Sequence, residues 1–178
     1  LARTPYEPVP VSLEMAELVS ERRHLVTATR DVLHVEPEVV AYLCTSGSFI
    51  KGIGYEKTLC DAICEAGAPC AVTTSGALLE ALHDLELTRI SVITPYDEQV
   101  TKLLHSFLAE AGTEVVRSTH LGLGGGIWKV NYRTIAERII AADSPDSEAI
   151  FVSCTNLPTY DLIAPLEREL GKPVLTAN

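Results

Sequence analysis

Two cysteines stand in the same local pattern in the two halves of the chain, and thiols are well suited to covalent and proton-transfer chemistry. Cys44 lies in the segment EVVAYLCTSGS (38–48), and Cys154 lies in EAIFVSCTN (148–156). In both segments a short apolar run, typical of a buried parallel strand, leads into Cys-Thr and a small polar residue. Ligands of open α/β sheets bind beyond the carboxyl ends of the strands, so both thiols are predicted to face a bound small molecule.

The likeness between the two segments extends beyond the strands. Each Cys-Thr loop is followed by a predicted helical stretch, a proline and a second apolar strand, APCAVTTS (68–75) in the first copy and GKPVLTAN (171–178) in the second. Upstream, residues 1–4 are predicted to end a strand, as residues 115–119 do in the second copy. We interpret the chain as a duplicated α/β unit. Two units packed about a pseudo-twofold axis would turn their strand ends toward each other, which predicts one thiol on each side of a shared cleft.

Thiols placed in this way favour two kinds of chemistry. An ordinary cysteine has a pKa of about 8.5, and a helix N-terminus nearby increases its thiolate fraction. A thiolate on one face of a substrate and a thiol on the other could remove and return a proton α to a carboxylate, which is racemisation. Alternatively, Cys44 could add to an activated carbon–carbon double bond and leave after rotation, while Cys154 moves the proton, which is cis–trans isomerisation.

Both routes place charge on a substrate carboxylate, so hydrogen-bond donors are expected beside the thiols. Preorganised donors of this kind contribute about 3–4 kcal/mol each. The polar residues predicted to bind the substrate at these strand ends are Thr45, Ser46, Tyr96, Thr155 and Asn156. A purely structural role is the alternative for Tyr96, since a buried tyrosine needs only one hydrogen-bond partner.

Apolar periodicity and capping residues predict the remaining elements. One helix is predicted from Ser12, a good N-cap, to His34. After Cys44, residues 45–48 are predicted to open a helix that runs toward Gly67, with a start delayed to about Tyr55 by Gly52 and Gly54 as the alternative. Further helices are predicted at 75–85, 98–110 and 132–142, and strands at 39–43, 88–94 and 114–118. The predicted lobes are 1–84 at the N-terminal side and 85–178 at the C-terminal side.

A glycine cluster, HLGLGGG (120–126), follows the strand that is predicted at 114–118. Its spacing does not fit the dinucleotide-binding fingerprint, because no buried strand leads directly into it and no acidic residue follows at the required distance. A flexible loop over the cleft is the favoured interpretation. Trp128, next to this loop, is predicted to be either an anchor for the loop or a wall of the pocket.

Composition excludes several classes of protein. With 178 residues, 47% of them hydrophobic, and a net charge of −10, the chain has no basic surface for nucleic acid, and its apolar runs are too short to span a bilayer. Five cysteines, an odd number, indicate reduced thiols, and Cys60 and Cys64 are interpreted as a packed helix face and not a metal site. We expect a cytoplasmic protein that binds a small carboxylate and uses neither a metal nor an organic cofactor; a homo-oligomeric state is left open.

Four segments together resemble the aspartate/glutamate racemase superfamily, within it the branch of maleate cis-trans isomerase and arylmalonate decarboxylase. They are AYLCTSGS (41–48), VITPY (92–96), HLGL (120–123) and SCTNL (153–157), and the resemblance covers nearly the whole chain. It implies two pseudo-symmetric flavodoxin-like lobes with parallel sheets, a cofactor-independent reaction, and an active site between the lobes. Family members look longer at both ends, so the chain is expected to be truncated and its first lobe to lack a strand and a helix.

The resemblance also guides the choice of activity. Decarboxylases of this branch carry glycine at the position of Cys44, so the presence of both Cys44 and Cys154 favours an isomerase or a racemase. An asparagine that the isomerases carry after HLGL is replaced within 124–126, which weakens the assignment of a dicarboxylate substrate. The expectation is a maleate isomerase-like enzyme with both cysteines catalytic. The alternatives are an amino-acid racemase, an arylmalonate decarboxylase-like enzyme, and a non-catalytic small-acid-binding protein.

Overall fold

The computed structural model describes residues 1–4 and 9–178. Within them, helices alternate with parallel strands along most of the chain. The helices are α1 (Leu13–Val19), α2 (Arg22–Val32), α3 (Thr45–Phe49), α4 (Gly52–Glu65), α5 (Thr74–Asp84), α6 (Glu98–Glu110), α7 (Tyr132–Ala142) and α8 (Ile163–Leu170). The strands are β1 (Val40–Tyr42), β2 (Ala71–Thr73), β3 (Arg89–Thr94), β4 (Glu114–His120), β5 (Ala149–Val152) and β6 (Val174–Thr176).

The strands form two parallel sheets. β1 pairs with β2 in a two-stranded sheet, and the second sheet has the order β4-β3-β5-β6. Every pair in both sheets is parallel, as expected where helices connect consecutive strands. The α/β fold with parallel sheets that the sequence predicts is therefore confirmed. Residues 1–4 form no strand, so the strand end predicted there is wrong.

The first helical region differs from the prediction. Ser12 caps α1 as expected, its hydroxyl accepting a hydrogen bond of 3.3 Å from the N–H of Met15. The single helix predicted up to His34 is instead divided between α1 and α2. The break follows Ser20, whose N–H and hydroxyl both donate to the carbonyl of Glu17 and so close the last turn of α1. Local side-chain hydrogen bonding of this kind competes with helix propagation.

One apolar cluster contains residues from both halves of the chain. The ring of Phe49, in α3, lies edge-on against that of Tyr96, with centroids 6.0 Å apart, and 6.4 Å from that of Phe107 in α6. All three rings are essentially inaccessible to solvent. Aromatic burial of this extent fixes α3, which follows Cys44, against the end of β3. The division into lobes at 84/85 falls between α5 and β3 and stays a prediction.

Two expectations about the surface can be compared with the structure. In the described ranges, 1–4 and 9–178, no helix is long and apolar enough to cross a membrane. Cys60 is half-buried on α4, but Cys64 is exposed, so the packed helix face predicted for this pair is wrong at Cys64. Helix α4 packs against the protein through Leu59, Ala62 and Ile63. Cys64 lies outside this buried face, although it stands four residues after Cys60.

Candidate active site

Cys44 lies two residues beyond β1 and immediately before α3. Its backbone is extended, with φ −137°, and its half-buried thiol lies 3.9 Å from the hydroxyl of Ser46. The residues of α3 are all buried, so the helix that follows the thiol is embedded in the protein. The position at the carboxyl end of a parallel strand is the one predicted from the sequence.

Thr45, the residue after Cys44, is buried, with 2% of its surface exposed. Its backbone carbonyl is held by two buried serines, accepting hydrogen bonds from the hydroxyls of Ser48 (2.9 Å) and Ser75 (3.2 Å). Its own Oγ1 is buried and has no hydrogen-bond partner among residues 1–4 and 9–178. A buried hydroxyl without a partner is costly unless something satisfies it, and this one belongs to the residue that follows Cys44. Ser46 is equally buried.

Cys154 adopts a different backbone conformation from Cys44. Its φ is +90°, in the left-handed region that a side chain rarely occupies. The N–H of Leu157 donates to the carbonyl of Cys154 at 3.1 Å and closes this turn. Burial raises the pKa of the Cys154 thiol, and the N–H of Asn156 and the hydroxyl of Tyr96 partly offset this. At neutral pH the group is therefore an S–H proton donor held in a preformed site.

The segment after Cys154 corrects one expectation. The helix expected to follow this loop directly, as in the first copy, begins only with α8 at Ile163. A turn and a short 3-10 helix, Tyr160–Leu162, come first. The left-handed backbone at Cys154 turns the chain away from the strand axis, so a helix cannot start at the next residue as α3 does at Thr45.

Tyr96 lies at the carboxyl end of β3 and is buried, with 1% of its surface exposed. Burial, and then negative charge on Cys154, raise its pKa well above the ordinary value, so the side chain stays a neutral donor. Ser153 donates a hydrogen bond of 3.3 Å to its oxygen, which leaves the phenolic proton free to bind Cys154. Tyr96 is predicted from the sequence either to bind the substrate or to have a purely structural role. In the structure it lies in the core and contacts the thiol of Cys154.

The two cysteine loops meet. The hydroxyl of Thr155 donates to the carbonyl of Leu43 at 3.3 Å, which joins the residue after one cysteine to the residue before the other. A negative charge on Cys44 raises the pKa of Cys154, a further sign that the thiols share one environment. Thr155 thus bridges the loops, and its hydroxyl is already engaged, whereas the sequence predicts it to be a substrate donor.

Asn156 is placed apart from the other predicted residues. Its side chain is exposed and borders a cavity of about 570 Å³ that lies between α1 and the glycine loop. The cavity wall is largely apolar and includes Val9, Pro10, Val11, Met15, Leu18, Ile127 and Trp128. Trp128 lines this cavity, which neither Cys44 nor Cys154 borders, so its role in the substrate pocket stays a prediction.

The glycine loop is tethered beside Tyr96. The N–H of Gly122 donates to the carbonyl of Tyr96 at 3.0 Å, and the N–H of Val11 donates to the carbonyl of Gly124 at the same distance. Residues 120–126 therefore connect the end of β3 to the segment that precedes α1. Their predicted flexibility stays a prediction.

Sequence reasoning missed Tyr42 and Ser153. Tyr42 stands two residues before Cys44, and side chains at i and i+2 of a strand point to the same face, so its proximity to the thiol could have been expected. Ser153 gives no such signal, because its partner Tyr96 is 57 positions away. Only the pairing of β3 with β5 brings these two side chains together.

Comparison with known proteins supports this description. The family model described as arylmalonate decarboxylase matches residues 17–178. The chain is 35% identical to arylmalonate decarboxylase of Bordetella bronchiseptica over 145 residues, covering 79% of this chain and 60% of that protein. It is 29% identical to maleate isomerase of Pseudomonas putida over 148 residues, covering 79% of this chain and 59% of that protein. The chain thus spans about 60% of the length of these two relatives.

A solved structure shares the fold. It is the maleate cis-trans isomerase of Nocardia farcinica in a cysteine-to-serine mutant with a covalently bound succinylcysteine intermediate. It matches with a TM-score of 0.89 at 22% identity, over 95% of this chain and 71% of that one. The parallel sheets and the two cysteine loops define the class of protein: an α/β protein with a thiol at the carboxyl end of a strand in each half. The chain belongs to the arylmalonate decarboxylase family, which confirms the resemblance to the branch of arylmalonate decarboxylase and maleate isomerase.

Proposed function

We propose that the protein is a cofactor-independent cis–trans isomerase of a small unsaturated dicarboxylic acid, similar to maleate isomerase. The observation that carries this proposal is the pair of adjoining cysteine loops in which the two thiols differ. Burial raises the pKa of Cys154 and so keeps it as an S–H group, and Cys44 precedes Thr45, whose buried hydroxyl has no hydrogen-bond partner within residues 1–4 and 9–178. The similarity to maleate isomerases, and the succinylcysteine in one of them, supports the same assignment.

In this reaction Cys44 supplies the nucleophile. Its thiolate adds to one carbon of the double bond, and the electron pair moves onto the neighbouring carbon and its carboxylate. Cys154 then donates its proton to that carbon, which leaves a saturated thioether on Cys44 and a thiolate on Cys154. After rotation about the new single bond, Cys154 takes a proton back, and the carbon–sulfur bond breaks. Both thiols return to their starting states, so no other reactant is needed.

The charge that develops on the carboxylate needs a donor at a fixed position. Thr45 provides one, because its hydroxyl is buried while its backbone is held by Ser48 and Ser75. A donor that is oriented before the reaction does not need to reorganise in the transition state. Tyr96 contributes indirectly, since its hydroxyl stabilises the Cys154 thiolate that forms after proton donation.

Decarboxylation of a malonate is the second candidate. The similarity to the Bordetella decarboxylase favours it, as does the apolar wall of the cavity near Asn156, which would accommodate an aryl group. Loss of CO₂ leaves an enediolate that needs a single proton, and the S–H of Cys154 could supply it. Cys44 has no necessary role in this reaction, so the two candidates differ in their dependence on Cys44.

Proton NMR in D₂O with the full-length protein tests both candidates. Maleate, phenylmalonate, aspartate and glutamate would be followed in the wild type and in Cys44→Ser and Cys154→Ser, with Cys64→Ser as a control at an exposed thiol. Fumarate from maleate that requires both Cys44 and Cys154 supports the isomerase. Loss of CO₂ from phenylmalonate that requires Cys154 alone supports the decarboxylase. Deuterium at the α-carbon of an amino acid would indicate a racemase, and no change in any substrate would contradict all three enzymes.

A further inference from the structure

Tyr42 is the last residue of β1, two positions before Cys44 and on the same face of the chain. Its side chain is buried, with 7% of its surface exposed, and its hydroxyl donates a hydrogen bond of 3.0 Å to the carbonyl of Val19. Val19 ends α1, the helix that covers this side of the site. Tyr42 therefore connects the strand that carries the thiol to the covering helix.

Gly47 defines the space between Tyr42 and Cys44. A methyl group on its Cα would lie 2.4 Å from the phenolic oxygen of Tyr42 and 3.3 Å from the sulfur of Cys44. Both atoms thus border the same small volume, which only glycine leaves open. A side chain at position 47 would displace the hydroxyl, the sulfur or both.

We propose that Tyr42 is a positioning residue for Cys44, its hydroxyl turning from the carbonyl of Val19 to the sulfur when Cys44 becomes a thiolate. The inference deepens the proposed function, since it concerns the thiolate that this reaction uses. Burial, followed by the charge of Cys44, holds the pKa of Tyr42 far above its usual range, so Tyr42 stays protonated and can donate. A hydrogen bond to a charged sulfur is stronger than one to a neutral carbonyl.

The phenol has one proton and two acceptors, which couples the thiol to α1. While Cys44 is an S–H group, its sulfur has the hydroxyl of Ser46 as partner at 3.9 Å, and the hydroxyl of Tyr42 donates to Val19. When Cys44 loses its proton, the hydroxyl of Tyr42 donates to the sulfur, and the carbonyl of Val19 loses its partner. Met15, Leu18 and Val19, in the same helix, line the cavity near Asn156, so this change reaches that cavity.

Each thiol then has its own buried tyrosine. Tyr96 comes from the neighbouring strand to Cys154, and Tyr42 comes from the strand of Cys44 itself. In the duplicated unit Val152 occupies the place of Tyr42, two residues before Cys154. The two hydroxyls therefore do not follow from the repeated pattern.

The pH dependence of alkylation at Cys44 tests this proposal without a substrate. Full-length wild type and Tyr42→Phe would be treated with iodoacetamide from pH 6 to 11 and digested with trypsin. Cys44 is the only cysteine of peptide 31–51, and Cys154 is the only one of peptide 139–168, so each thiol is read separately. We expect Tyr42→Phe to raise the alkylation midpoint of Cys44 by about one pH unit, as a hydrogen bond to a charged group implies, with that of Cys154 little changed.

Tyr55→Phe is the matched control. The hydroxyl of Tyr55 donates to the carbonyl of Ser20 at 2.9 Å, so it holds the same end of α1 but is bonded there and not at the thiol. An unchanged midpoint in Tyr42→Phe, or an equal shift in Tyr55→Phe, would overturn the proposal, because the effect would then be absent or due to α1 alone.

A second measurement covers the possibility that Tyr42→Phe does not fold. Site-specific 3-fluorotyrosine at position 42 keeps the ring and the hydroxyl but makes the hydroxyl a stronger donor. The alkylation midpoint of Cys44 should then fall, and an unchanged midpoint would contradict the proposal. Because neither readout uses turnover, a shifted midpoint with no isomerase activity would refute the proposed function and leave the role of Tyr42 intact.

Discussion

The carboxylate of Glu110 accepts a hydrogen bond of 2.9 Å from the backbone N–H of Ile53, in the first turn of α4. Glu110 ends α6, in the second half of the chain, so this bond links it to the first half. Gly52 makes the approach possible, since a methyl group there would lie 2.8 Å from both carboxylate oxygens, and its φ is +81°. The N-terminal turn of α4 is thus capped by a residue of the other half.

Replacement of Glu110 by alanine should destabilise the protein. The variant loses the cap of α4 and a link between the halves, and removal of a helix cap costs about 1 kcal/mol. Urea unfolding should show a lower midpoint with an unchanged slope. Glu80→Ala, at an exposed position on α5, serves as the control and should have little effect. Equal midpoints for Glu110→Ala and wild type would show that the contact contributes nothing.

Gly52→Ala should be more harmful in the wild type than in Glu110→Ala. In the wild type the new methyl group meets the carboxylate and the backbone is strained, whereas in Glu110→Ala only the strain remains. A double-mutant cycle of unfolding free energies measures the difference. Strict additivity would contradict the close approach of Glu110 to Gly52.

Thr45→Val should separate stability from activity. The hydroxyl of Thr45 has no partner in the described part of the chain, so its loss should change the unfolding free energy by less than about 0.5 kcal/mol. If Thr45 stabilises a substrate carboxylate, kcat/KM should fall by roughly 100-fold or more. Ser48→Ala is the comparison, because that hydroxyl bonds to Thr45 and Ser75 and its loss should cost about 1 kcal/mol. Normal turnover in Thr45→Val would remove Thr45 from the substrate site.

Tyr96→Phe should make Cys154 harder to ionise. Burial already raises the pKa of Cys154, and the hydroxyl of Tyr96 counteracts this by bonding to the thiolate. Without the hydroxyl the pKa rises further, so alkylation of peptide 139–168 should begin at a higher pH than in the wild type. A midpoint that falls or stays constant would mean that Tyr96 does not donate to Cys154.

The contribution of Glu148 to stability should depend on pH. The N–H groups of Thr88 and Arg89 hydrogen-bond its carboxylate and lower its pKa. A carboxyl group with a lowered pKa stabilises the folded state above its unfolded pKa of about 4.3, and this contribution is lost as the pH falls through the folded value. The urea midpoints of wild type and Glu148→Gln should therefore differ at pH 7 and converge in acid. A difference that does not vary with pH would contradict this role.

Much of the fold could be predicted because the relevant signals are local. Apolar runs, capping residues and turn residues act over a few positions, and they correctly placed Cys44 and Cys154 at the ends of parallel strands. The long helix predicted through Ser20 failed for a similarly local reason, since a side-chain bond ended α1 where the apolar pattern continued.

The sequence by itself determined the duplicated α/β pattern, the two cysteine loops and the hydroxyl residues beside them. Only the tertiary structure decided how the two copies differ: Cys154 takes a left-handed backbone, Tyr96 reaches it from another strand, and Thr155 bonds to Leu43, 112 positions away. Such contacts depend on how the helices and sheets pack, and chain-local patterns do not encode the packing. For that reason the sequence could name both thiols, whereas their unequal environments became visible only in the folded protein.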